Sequence, residues 1–123
     1  MVARNICRCP PPSETTISCA EHEAATCYTD ERGNPHGACY PLSELGAAME
    51  RDWDEMRRAL TKLFSEEFRI PHAKFTAAQW ISQTLASNEL AISVHFMDGS
   101  AINILFPPGV QAPSQSEKLA LTR

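Results

Sequence analysis

The chain has no apolar run approaching the ~20 residues that cross a bilayer as a helix, so no membrane-spanning helix is expected. It also has no segment in which basic residues predominate. That removes the electrostatic footprint of a nucleic-acid binder. Glycine is scarce, with five scattered residues, so no glycine-rich loop is available to cradle a phosphate. There is no internal repeat and no low-complexity tract. The opening MVARNICRCPPP places two arginines ahead of prolines rather than an apolar core, and so does not read as a secretory signal; a mature exported chain stays open. Nothing marks an oxyanion hole, a nucleophile turn or a third orienting group.

What is present fits a folded protein. A length of 123 residues suffices for one domain with its own core, and 43% apolar against 21% charged residues separates the chain from disordered sequences. A single domain is expected over residues 1–109, with a flexible polar tail over 110–123. The nine prolines fall at ends and junctions, where they punctuate structure. The net charge of −4 suits ordinary solubility or docking on a basic partner. Five cysteines, an odd number, agree with reduced thiols in a cytoplasmic protein.

The pattern predicts an α+β fold. Residues 1–16 read as irregular, extended at Pro10–Pro12. A turn over Asp30–Pro35, flanked by the β-leaning TCYT and GACY, predicts a loose hairpin. From Ser43, taken as N-cap, Leu45, Met49, Trp53, Met56, Leu60, Leu63, Phe64 and Phe68 recur at helical spacing, giving an amphipathic helix over about 43–68. Asp52, Asp54, Glu55, Glu66 and Glu67 read as its wet side. Thr76 and Gln79 have capping-box spacing and Phe75 and Trp80 staple spacing, which predicts a second helix over about 76–87. A hairpin follows over about 90–106. A three-residue loop, Met97-Asp98-Gly99, pairs Val94 with Ile102 and Ile92 with Ile104, and puts Leu90, Ile92, Val94, Phe96, Ile102, Ile104 and Phe106 on one face. The helices should cover that face of a small antiparallel sheet. An exposed sheet edge would favour a partner or a second copy.

The cysteines and histidines carry the chemistry. Cys19-x2-His22 and His36-x2-Cys39 form a mirrored set of thiolates and imidazoles, the ligands zinc prefers, so these four are the candidate ligands of a structural zinc. Cys27, Cys7 and Cys9 are alternates. Packing of reduced cysteines competes with metal binding, and Cys27–Cys39 is the natural disulfide of an exported chain. His72 reads as loop and His95 as solvated or partner-facing. Trp53 and Trp80 fall in core stripes. The expected function is a small non-enzymatic binding, regulatory or adaptor protein. It would recognise a protein partner, or a second copy, through a sheet edge or the N-terminal loop, with neither nucleic acid nor membrane involved. The rivals are a thiol-dependent enzyme or redox protein using Cys19, Cys27 or Cys39, and a secreted disulfide-stapled domain.

Overall fold

Alternation builds the first layer. The computed structural model describes residues 4–43, 45 and 52–110. In β1 (Arg4–Arg8) Asn5 and Cys7 are buried, while Arg4, Ile6 and Arg8 face outward. β2 (Thr16–Ala20) pairs with it antiparallel, Asn5 opposite Cys19 and Cys7 opposite Ile17. The irregular N-terminal segment expected from the prolines is therefore a hairpin. Its connection holds the prolines, with a cis Pro11–Pro12 bond, and the Cys9 N–H closes it by donating to the Thr15 carbonyl at 2.9 Å.

Five further strands form one antiparallel sheet: β3 (Glu23–Thr29), β4 (Pro35–Pro41), β5 (Gln79–Thr84), β6 (Leu90–His95) and β7 (Ala101–Leu105), in the order β4-β3-β7-β6-β5. β3 is covered on both faces, and accordingly Ala24 to Thr29 are all buried. The β6–β7 hairpin has the predicted register, with Val94 opposite Ile102 and Ile92 opposite Ile104. The Phe96 N–H donates to Ser100 O at 2.9 Å, and Gly99 takes the left-handed position at φ 90° that this loop requires. Leu90, Ile92, Val94, Phe96, Ile102, Ile104 and Phe106 are all buried on one side.

Helix α1 (Trp53–Phe68) covers that side through the stripe Met56, Leu60 and Phe64. Its N-cap is Asp52, whose side chain accepts from the Glu55 N–H at 2.9 Å. It stops where predicted, at Phe68, on a left-handed Arg69 (φ 56°) whose N–H returns to Ser65 O. The start differs from expectation. Leu42 and Ser43 are already helical and Asp52 is extended, so no continuous helix runs over 43–68 and Ser43 does not cap α1. Met49, an expected core residue, lies outside the described residues, as does 111–123 of the expected tail.

The second helix is also displaced. α2 is the single turn His72–Thr76, and Thr76 ends it instead of starting a helix over 76–87. The residues after it form β5, because pairing with β6 satisfies the main-chain groups of Gln79, Ile81 and Gln83 and seats Trp80 edge-to-face on Trp53 at 6.2 Å between centroids. Tertiary pairing outweighs a local capping signal. The class stands as α+β: α1 and α2 lie on one face of the five-stranded sheet, and the β1–β2 hairpin is layered on the other face. Asn5 fastens that outer layer by donating from Nδ2 to Glu23 O (3.0 Å) and Leu105 O (2.6 Å).

Candidate binding groove

The four expected zinc ligands are not brought together. Cys19 and Cys39 are joined in a disulfide, as are Cys9 and Cys27. The reason is strand geometry. Three-residue spacing converges on a helix or turn, but in a strand it sends side chains to opposite faces. Thus Cys39 faces the hairpin layer, while His36 stacks on Tyr28 at 5.6 Å and bonds Asp30 at 2.9 Å. His22 lies exposed beside Glu21. Among the described residues the one cluster of metal-ligating types is Cys19, Glu23 and Cys39. With its sulfurs bonded to each other it leaves a single carboxylate, so the structural zinc is replaced by disulfide stabilisation. The expected Cys27–Cys39 pairing is also corrected: Cys27 is opposite Gly37 and Cys39 opposite Ala25, and each cysteine reaches up to the overlying hairpin instead. Cys7 is the free cysteine, and burial pushes its thiol up to about 12, far from a reactive thiolate. Cys19, Cys27 and Cys39, the candidates of the thiol reading, hold no free thiol.

A groove forms instead between the helices and the sheet edge. Asp54, Arg57, Arg58 and Thr61 recur at positions i, i+3, i+4 and i+7, so they make one stripe along α1. That stripe faces His72 and Thr76 of α2 across a floor of Phe75 and Trp80, enclosing about 570 Å³. This is within the ~300–1,000 Å³ of ordinary ligand sites. The side chains are held by their neighbours. Arg57 donates to Asp54 and lies over the Trp53 ring at 5.7 Å. Its Nε is buried and has no hydrogen-bond partner among the described residues. His72 Nε2 lies 3.0 Å from Ser65 Oγ. Arg58 is exposed and, among the described residues, enters no ion pair. The groove therefore holds two guanidiniums against one carboxylate in a chain whose net charge is −4.

The strand beside this groove has an unpaired edge. Leu85 N–H donates to Glu89 O at 2.8 Å, continuing the β5–β6 ladder. By alternation Gln79, Ile81 and Gln83 turn their main-chain groups toward β6, and Trp80, Ser82 and Thr84 turn theirs outward. No described strand pairs with them. The opposite edge is different. Bonds from Asp30 N–H to Asn34 O and from Leu42 N–H to His22 O show that Pro35, Gly37, Cys39 and Pro41 face outward from β4. Two of these four lack an N–H, which blunts that edge. β5 carries neither proline nor lysine.

Trp80 packs against the core, as its place in an apolar stripe predicts, while His72, read as loop, opens α2; that these residues border one groove was not visible in the sequence. The available signal was QWISQT itself, a stretch with aromatic and β-branched residues and no gatekeeper. His95 stands as expected, exposed and opposite Ala101. No protein-family model, no curated protein and no solved structure matches the chain. No described helix is long and apolar enough to cross a membrane.

Proposed function

We propose that the chain is an exported, disulfide-stapled binding module that takes an extended segment of a partner protein as an added strand on β5. The observation that supports it is the unpaired β5 edge lying directly beside a preformed groove. Main-chain bonds to Trp80, Ser82 and Thr84 would supply affinity. Alternate side chains of the added strand would fall on the helix side, next to Trp80, and the others beside Ile81, which is 41% exposed. The two disulfides favour an oxidising compartment, since such bonds are rare where glutathione keeps thiols reduced.

Ser82→Pro tests this. The Ser82 N–H points away from the ladder, so proline removes a docking donor while leaving every β5–β6 bond in place. In a selection of random dodecamers displayed against the full chain, the native protein should enrich binders and the S82P variant should not, with thermal unfolding nearly unchanged. Equal enrichment by both proteins would refute strand addition. A native dimer that S82P converts to monomer, seen by sedimentation, would assign the edge to a second copy instead.

A further inference from the structure

Resting on that function, we infer that the added strand carries a carboxylate side chain, glutamate in particular, which enters the groove between Arg57 and Arg58. Three observations converge on it. First, a strand added to β5 must present alternate side chains toward α1, because Trp80, Ser82 and Thr84 already point to that layer. The residue beside Trp80 then meets the Arg57–Arg58 stripe. Second, the charge is incomplete. Asp54 already engages Arg57, which leaves Arg58 uncompensated and the Arg57 Nε without an acceptor among the described residues. A single carboxylate balances this remainder, whereas a phosphate dianion would overshoot it. Third, the floor is aromatic. Phe75 and Trp80 offer apolar surface to the methylenes of a glutamate, which aspartate would cover less fully.

The two arginines are held differently. Arg57 is fixed by Asp54 beneath it and by the Trp53 ring, so its guanidinium is oriented before a ligand arrives. Arg58 has no partner to lose among the described residues, and its replacement should leave the fold intact.

The experiment uses the intact oxidised chain. Dodecamers enriched in the display selection should share one position dominated by glutamate. A synthetic peptide with glutamate there should bind about tenfold more tightly than its glutamine counterpart, as expected when a charged hydrogen bond is lost. The difference should narrow between about 50 mM and 500 mM salt. Arg58→Gln should erase the preference, and Arg58→Glu should turn it toward lysine. Glutamate and glutamine peptides of equal affinity, both abolished by S82P, would overturn the carboxylate assignment and leave strand addition standing. A phosphoserine peptide binding more tightly than the glutamate peptide would also overturn it. Failure of native protein to enrich any peptide would remove the underlying function itself.

Discussion

Asp98 shows how one side chain can organise a turn. It accepts from the Ser100 N–H at 2.9 Å and the Ser100 hydroxyl at 2.5 Å, and it pairs with Lys74 at 2.5 Å. Burial opposes its ionisation, yet Lys74 and the Ser100 donors outweigh burial and bring its carboxyl down to about 2. The sign follows directly. A carboxyl lowered from its ordinary 3.8 contributes stability that is fully present above about pH 4 and is lost as pH falls through 2. The Asp98 side chain is 35% exposed, so solvent screening keeps that contribution below ~1 kcal/mol. Urea unfolding across pH 2 to 7 should show native protein ahead of Asp98→Asn at neutral pH, with the gap closing at the acid end. The hairpin around Asp98 was legible because its apolar residues permit only one register. The cysteine and histidine spacing misled because ligand spacing has meaning only once the backbone conformation is known, and here the backbone is strand.

Among the elements, β2 and β4 approach closely at Gly37. A Cβ on Gly37 would stand 2.4 Å from Cδ1 and 2.9 Å from Cγ1 of Ile17, so any larger residue there requires the Ile17 side chain to shift. Gly37→Ala should cost ~1–3 kcal/mol through overpacking. Combining it with Ile17→Ala should restore much of the loss, and a double-mutant cycle by chemical denaturation should return a clear coupling energy. Additive effects would mean that Ile17 simply rotates away. Element types were readable where one pattern dominated, as in α1 and the β6–β7 hairpin. They failed at β5, where a capping box and a staple pointed to helix while the deciding term, pairing with β6, was non-local. β1 was missed for a related reason: three prolines suggested irregularity, but they lie in the connection and leave both strands intact.

The molecule as a whole is held in two ways. Helix α1 and the five-stranded sheet enclose an aliphatic and aromatic core that includes Phe64, Leu60, Ile102 and Phe106 and contains no disulfide. The outer hairpin has only a small cluster of Cys7, Cys19 and Ala25 beneath it, and both disulfides tie this layer down. Each closes a loop of about 20 residues, worth ~3 kcal/mol in the chain-entropy picture. Reduction should therefore lower stability by several kcal/mol and expose the hairpin to proteolysis before α1 unfolds. Intact mass should show four protons missing from the oxidised chain. Cys7, the remaining thiol, should alkylate only after denaturation, as a buried thiol with a pKa of about 12 requires. Simultaneous loss of α1 and the hairpin on reduction would show that the two layers form one cooperative unit. The α+β class was visible in the sequence because it depends on patterning. The three-layer arrangement was not, because it depends on which cysteines meet across strands far apart in the chain.

The two edges of the sheet differ in a way that sets a valence. Proline at both ends of β4 blunts one side, while β5 stays open among the described residues. A sheet open on both sides can grow without limit, whereas copies of this chain can meet only through β5. Two copies joined β5 to β5 would carry a proline-bearing β4 at each end of the shared sheet, so self-association is expected to stop at a finite pair rather than run on as a filament.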